Sequence, residues 1–291
     1  MIELSVIIPT HNRLVLLQRA LASVLAQEGV DLECIVVNDG STDGTAAWLE
    51  GLDDSRVRVR HLGGVGGASA RNAGLDMAQG EFIAFLDDDD EWRPGKARRQ
   101  IDVLRHRPEV CIASTRAIAR PFSWVHWLGG KSGGVSTTDM ETGNVLGSFS
   151  FCMARAAEVG ALRLDPGLKA CQDWDFWLKI MESSGGTGWI VPERLVIYSR
   201  EDHARLSTST GSKWRSTLRF ARSHSNSLRP SSRCHLAAEI SGMQSSETWS
   251  GTAARKGKRM RWLRILWTGT MSSRTLNPYF LRKHLMRLIR A

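Results

Sequence analysis

The sequence predicts an α/β domain with a mostly parallel central sheet flanked by helices, followed by a basic, mainly helical C-terminal extension. Three observations predict it. Short β-branched runs alternate with segments of helical periodicity through residues 4–92, as in strand–helix–strand units. Polar clusters directly follow three of those runs, and sheets of this class bind ligands outside the carboxyl ends of their strands. The charge also reverses near residue 205. Residues 205–291 hold 18 Lys and Arg against two acids (Glu239, Glu247), a balance of +16, whereas 21 Lys and Arg and 28 Asp and Glu before them give −7. A Ser/Arg-rich stretch, SKWRSTLRFARSHSNSLRPSSR, follows this point. We therefore divide the chain into residues 1–204 and 205–291.

The elements follow in order. LSVIIPT (4–10), closed by Pro9-Thr10, is a buried parallel strand. Leu14, Leu17, Leu21, Val24 and Leu25 lie at helical spacing. ECIVVND (33–39) is a second strand, and STDGTAAWLE carries a Ser/Thr/Asp cap signature ahead of a helix. VRVRHL (57–62) alternates as a third strand; glycines follow, then a helix around 69–78, then the run EFIAFL (81–86). Beyond residue 108 the pattern loosens: FCMAR (151–155) is a strand, CQDWDFWLKIMESS (171–184) a helix, and ERLVIYSR (193–200) a last strand. Residues 121–147, rich in Gly, Ser, Thr and Trp, read as loop.

Composition sets limits on function. A chain of 291 residues buries one large core, or one catalytic domain with an appendage. The five cysteines are odd in number and form no CxxC pair, which argues against a disulfide framework or a structural zinc site and suits a reducing cytosol. Met1 leads straight into a strand, so no signal peptide is expected. No stretch approaches the roughly 18 apolar residues of a spanning helix.

The strand over 81–86 ends in FLDDDDEW, residues 85–92. Neighbouring carboxylates about 4 Å apart repel by roughly 4 kcal/mol per pair at an effective dielectric near 20. Solvent relieves that repulsion, and so does a bound cation. An isolated run of this kind reads as a solvated turn, or as the acidic start of a helix opened by Pro94. The surrounding motifs favour a site. GGVGGASARNAG (63–74) lacks the Lys-Ser/Thr ending of a phosphate-binding P-loop and does not follow the first strand as a dinucleotide fingerprint does. Its informative residue is Arg71, which either pairs with phosphate oxygens or lies exposed on a helix.

SVIIPTHNR, VVNDGSTDGT, ASARNAG, FLDDDDEWRPGK and QDWDFWLK occur together in this order. Over residues 3 to about 207 the chain resembles the family 2 glycosyltransferases, inverting enzymes with the GT-A nucleotide-diphospho-sugar-binding fold. The resemblance implies that Pro9, Thr10, Asn12 and Arg13 lie beside the base and diphosphate, with helix capping the alternative for Thr10. It implies that Asp39 accepts from the base, against a turn or helix cap, and that Arg71 faces the phosphates. An Asp-x-Asp pattern maps to Asp87, near the ribose, and Asp89, on Mn²⁺ or Mg²⁺. Asp88 is open to either role, and Asp90 is left to cap a helix or orient its neighbours. A divalent cation held by carboxylates would offset the charge growing on the leaving diphosphate.

Inversion needs one base to take the acceptor hydroxyl proton. The resemblance places it at Asp173, with Gln172 where the family often has Glu. Asp175 is the competitor, and two residues on a helix do not share a face. Trp174 or Trp177 would flank the acceptor or fill the helix core. YSREDHARLS (198–207) resembles the family's late Arg-x-His segment, which makes His203 a second metal or diphosphate contact.

The expected activity is transfer of a sugar, of the hexosyltransferase type, from a nucleotide-diphospho-sugar to a glycan or lipid-linked acceptor in envelope polysaccharide synthesis. The alternatives are a nucleotidyltransferase, and a non-catalytic sugar-nucleotide or glycan-binding module. ARKGKRMRWLRILW (254–267) and YFLRKHLMRLIRA (279–291) interleave basic and apolar residues at helical spacing. They suit an anionic membrane surface or helices packed on the domain, and nucleic acid is the least favoured partner. The protein is expected in the cytoplasm, free or resting on the inner face of the membrane.

Overall fold

The computed structural model describes residues 1–121, 132–199 and 210–247. The chain divides into two compact units, Met1–Leu206 and Ser207–Ala291. The boundary expected at 204/205, His203 and the basic segments from residue 254 onward lie outside the described residues.

The first unit is built on a 9-stranded mixed sheet. Strands β1 (Leu4–Thr10), β2 (Leu32–Asp39), β3 (Val57–Leu62) and β4 (Phe82–Phe85) alternate with helices α1 (Leu14–Leu25), α2 (Thr45–Glu50) and α3 (Gly67–Leu75). They pair in parallel in the order β3-β2-β1-β4. Every residue of β1 and of β2 is buried, which is why both read as continuous apolar runs rather than alternating ones. β3 lies at the edge, and its Arg58, Arg60 and His61 give that edge the charged side chains that discourage pairing with another chain. In α1 the stripe Leu17, Ala20, Leu21 and Val24 is buried.

Register decides where the site forms. Thr10 lies beside Asn38, Asp39 beside Leu62, and Ile7 beside Phe85. The carboxyl ends of β1, β2 and β4 therefore open on one edge, and the three polar clusters come together there.

The second half of the sheet departs from the sequence reading. β5 (Glu91–Trp92) is a two-residue strand antiparallel to β9. Pro94 therefore precedes the next helix rather than opening it: α4 (Lys96–His106) starts after Gly95, whose φ of 80° is left-handed. β6 (Val110–Arg120) follows, and then β7 (Gly133–Val135) and the short α5 (Thr137–Met140) fall where loop was expected. The side chains of Ser136 and Asp139 close a reciprocal capping box on α5, an S-x-x-D signal already present in the sequence. A single 3-10 turn, Phe149–Phe151, precedes β8 (Met153–Arg155) and the short α6 (Ala156–Val159). Helix α7 (Gln172–Ser184) leads into β9 (Thr187–Ser199), a 13-residue strand that starts well before residue 193. Gly188 and Pro192 obscured its beginning. β8 runs antiparallel to β4 and β6, and β9 runs parallel to β6.

The described part of the second unit is two helices, α8 (Thr210–Ser223) and α9 (Pro230–Glu247). No helix among the described residues is long and apolar enough to cross a membrane.

One close approach sets the start of β4 against β1. A Cβ added at Gly80 would lie 2.5 Å from the Ser5 backbone nitrogen and 2.8 Å from the Leu4 carbonyl carbon. Both are backbone atoms and cannot rotate aside. Gly80→Ala is expected to destabilise the protein by about 1–3 kcal/mol, measured as a lower urea midpoint with an unchanged slope.

Candidate active site

The site is assembled from loops at the carboxyl ends of β1, β2 and β4. The first two loops are stitched together. Asn12, with a left-handed φ of 53°, receives the Thr42 N–H on Oδ1 at 2.7 Å and donates its own N–H to Ser41 Oγ at 2.9 Å. The His11 ring donates to the Asp39 carbonyl at 2.7 Å, and the Leu14 N–H reaches Asp43 at 3.1 Å. Asp39 is buried and accepts the Val65 and Gly66 N–H groups, one on each oxygen, both at 2.7 Å. It does not cap α2, whose N-cap is Gly44. Instead it draws the Gly-rich loop over the end of β2. A carboxylate has about four acceptor positions, so these two bonds leave capacity for another donor. Pro9 lies in β1 beside Val37.

The four aspartates meet four different fates. Arg71 on α3 forms an ion pair with Asp87. This arginine is buried rather than exposed, and its guanidinium lies 4.3 Å from the centre of the Phe149 ring. Asp88 is buried too: Thr10 Oγ1 donates to its Oδ2 at 2.8 Å and Arg13 to its Oδ1 at 2.8 Å. Burial pushes the Asp88 carboxyl above its usual range, while the guanidinium and the Thr10 hydroxyl pull it back. Arg13 is raised, because the neighbouring aspartates outweigh its own burial. The direction that governs the pair is that of Arg13, which keeps its proton and holds Asp88 as an ion. Thr10 thus serves Asp88 and does not cap α1, which has no side-chain cap.

Asp89 lies 3.4 Å from the same guanidinium. Asp90 is 1% exposed; Ser199 donates its backbone N–H to Oδ1 at 2.9 Å, whereas Oδ2 is buried without a hydrogen-bond partner. Burial, and then the charges of Asp87 and Asp89, push the Asp90 carboxyl well above its usual range. Asp90 does not cap α4, which has Gly95 in that place. Its backbone N–H bonds the Asp87 carbonyl at 3.0 Å, a turn that brings the first and last aspartates back together. One carboxylate oxygen from each of Asp87, Asp89 and Asp90 lies within 4.8 Å of the others. Three hard oxygens, one of them on a buried carboxylate with an unused lone pair, fit a divalent cation. Asp88, open to the metal role in the sequence, is not in this trio, and Asp90 takes its place.

Asp173 stands on the first turn of α7. Protein surrounds it, yet solvent still reaches it. Its pKa is pushed up to about 6, first by burial and further by the charge of Asp87, against the Trp174 N–H at 2.8 Å and Arg71. It is therefore within electrostatic reach of the acidic turn. Asp175 is 1% exposed and bound to Lys179 at 2.6 Å. The two tryptophans belong to the interior: Trp174 Nε1 donates to the Met140 carbonyl at 2.5 Å, and Trp177 is fully buried.

Sequence reasoning missed Ser150 and Ser199. Ser150 Oγ accepts the Asp87 N–H at 3.1 Å, and its hydroxyl pulls the Asp90 carboxyl down against burial. No sequence pattern marks either serine, because each reaches the site from a distant strand or turn.

Comparisons with known proteins agree with the fold. The model of the family "Glycosyl transferase family 2" matches residues 5–159. A Campylobacter jejuni protein, the GalNAc(5)-diNAcBac-PP-undecaprenol beta-1,3-glucosyltransferase, is 46% identical over 97 residues, 32% of this chain and 31% of that one. The chain covers about a third of the length of each of the first curated relatives it matches. Two solved structures share the fold. S. aureus TarS 1-349 with UDP-GlcNAc has a TM-score of 0.69 at 18% identity, over 92% of this chain and 80% of that one. The mannosyltransferase PcManGT of Pyrobaculum calidifontis, with GDP-Man and Mn²⁺, has a TM-score of 0.59 at 18% identity, over 92% and 79%. With the family model spanning β1 to α6 and the acidic turn at the centre of that span, the chain belongs to glycosyl transferase family 2.

Proposed function

We propose that this chain is an inverting glycosyltransferase that moves a sugar from a nucleotide-diphospho-sugar to a glycan or lipid-linked acceptor. The observation that carries this reading is the convergence of the Asp87, Asp89 and Asp90 carboxylates at the end of β4, with the partly exposed Asp173 carboxyl in electrostatic reach of Asp87. Asp39 and Asn12 hold the two loops that would enclose the nucleoside. Arg13 and Arg71 place positive charge beside the diphosphate. Asp87, Asp89 and Asp90 would hold a divalent cation, Mn²⁺ or Mg²⁺, which supplies charge stabilisation for the departing diphosphate. Asp173 takes the proton of the acceptor hydroxyl as that oxygen attacks the anomeric carbon. The bond from that carbon to the diphosphate oxygen breaks, and its electron pair leaves with the diphosphate. One displacement with one base inverts the centre. Asp175 is unsuited to the role, being buried and committed to Lys179. The C. jejuni relative is named for GalNAc(5)-diNAcBac-PP-undecaprenol, which supports a lipid-linked acceptor. The basic segments 254–267 and 279–291 suit a peripheral hold on an anionic membrane.

Asp173→Asn is expected to lower kcat by about 10²–10⁴-fold with donor affinity nearly unchanged, read by steady-state kinetics and calorimetry. Asp175→Asn should cost stability rather than turnover. A dead Asp175→Asn beside an active Asp173→Asn would move the base two residues along.

Asp173 works as the ionised base. In the parent kcat/KM should therefore rise with pH through a limb at or below about 6. A cation at Asp87 would offset only the smaller part of the rise that comes from that charge, moving the limb downward while burial keeps it above the usual carboxylate range. Residual activity of Asp173→Asn should lack that limb.

Asp89→Ala should abolish Mn²⁺-dependent binding of UDP or GDP in calorimetry while the thermal midpoint survives. Unchanged Mn²⁺ dependence would remove Asp89 from the cation site. Removal of residues 250–291 should release the protein from anionic vesicles in co-sedimentation; equal co-sedimentation would exclude the membrane role.

A further inference from the structure

The aspartates that converge on the cation site are held from beneath by a segment distant in sequence, the 3-10 turn at 149–151. Ser150 at its centre is 0% exposed. Its Oγ accepts the Asp87 N–H at 3.1 Å, and its hydroxyl favours the charged form of the nearby Asp90 carboxyl. The Ser199 N–H holds Oδ1 of Asp90, and the Asp90 N–H closes the turn on the Asp87 carbonyl, so that fixing Asp87 also fixes Asp90, while Oδ2 has no hydrogen-bond partner.

The turn is itself clamped by the residues that follow the aspartates. Trp92 Nε1 donates to the Ser150 carbonyl at 3.1 Å. Gln100 Nε2 donates to the Phe151 carbonyl at 2.8 Å and the Ala113 carbonyl at 2.9 Å. Lys96, also 0% exposed, donates to Gln100 Oε1 at 2.7 Å and lies 3.7 Å from the Trp92 ring centre. An ammonium offers only donors, so it fixes which end of the Gln100 amide faces the carbonyls. On the other side the Phe149 ring lies against Arg71, the partner of Asp87. Burying a lysine is costly, and the geometry gives that cost a purpose: it locks a clamp.

We propose that Ser150 is a positioning residue for the cation site, holding Asp87 and Asp90 in ligating geometry, and that Trp92, Lys96 and Gln100 fix Ser150 in turn. This rests on the reading of Asp87, Asp89 and Asp90 as cation ligands. Partners that orient metal ligands typically contribute about 10–100-fold in metal affinity.

The test uses the full chain and Mn²⁺ alone, with binding read from the loss of the free-ion electron paramagnetic resonance signal. Ser150→Ala should weaken Mn²⁺ binding about 10–100-fold, with a metal-free thermal midpoint close to the parent's. Ser114→Ala is the control: Ser114 is equally buried, and its hydroxyl donates to the Leu146 carbonyl at 2.5 Å rather than to the acidic turn. It should bind Mn²⁺ as the parent does. Trp92→Phe, which removes the indole N–H and keeps a ring, should weaken binding in the same direction and carries the test if Ser150→Ala does not fold. Parental affinity in folded Ser150→Ala, or in Trp92→Phe if it alone folds, overturns the inference. So does an equal loss in Ser114→Ala. A parent that binds no Mn²⁺ overturns the cation reading and this inference together, whereas binding by the parent with no effect of Ser150 overturns this inference alone.

Discussion

Four consecutive carboxylates at the end of a buried strand have to be kept apart and balanced, and most of the site is a response to that demand. Each neighbouring pair at about 4 Å costs roughly 4 kcal/mol at an effective dielectric near 20. The fold answers by drawing partners for the aspartates from several elements. Asp87 takes Arg71 from α3, Asp88 takes Thr10 and Arg13 from the end of β1, and Asp90 takes Ser199 from β9. Arg13 serves two of them, since it also faces Asp89. Satisfying the charge thereby ties strand, helix and loop around one point. Removing one partner would leave a buried charge uncompensated, which costs more than the intact pair contributes.

Placement of Asp173 follows from packing rather than charge. Phe85 immediately precedes the acidic turn, and Phe176 and Trp177 lie on the helix that carries Asp173. Phe85 and Phe149 meet edge to face with ring centres 5.1 Å apart, and Phe149 meets Trp177 at 5.6 Å. Aromatic pairs of this geometry add about 0.5–1.5 kcal/mol each beyond their buried area. The cluster sets α7 at a fixed distance from β4. Burial around Asp173 then raises its pKa into the range useful to a base near neutral pH.

The positions where local satisfaction fails are informative. Among the described residues, buried side-chain atoms without a hydrogen bond include Arg71 Nε and Asp90 Oδ2, both in the acidic site. Proteins leave few such groups, and the presence of these two beside three converging carboxylates fits a site whose remaining partners come from bound ligands. The supporting residues Ser150, Lys96 and Gln100 are, by contrast, fully hydrogen-bonded or enclosed. Rigid support beneath and unspent capacity above is the distribution that ligand binding requires.

By itself the sequence determined the strands that end in polar clusters, the helices between them and the edge where a ligand would bind. Those features arise from runs of a few residues: β1 and β2 are buried on both faces, and the turn chemistry follows directly after them. The β9 start and the β7–α5 segment were less legible, because Gly and Pro break their local pattern and the pairing that makes them strands comes from distant residues. Only the tertiary structure decided among chemically identical side chains. Asp87 to Asp90 are alike in sequence, yet the turn gathers the first, third and fourth and sends Asp88 to Arg13. Asp173 and Asp175 lie about 200° apart around a helix, and the packing of α7 puts Asp175 inside against Lys179 while Asp173 stays partly exposed. Ser150 had no sequence signal at all. A carboxylate's role depends on which donors and charges surround it, and those arrive through contacts that local sequence does not encode.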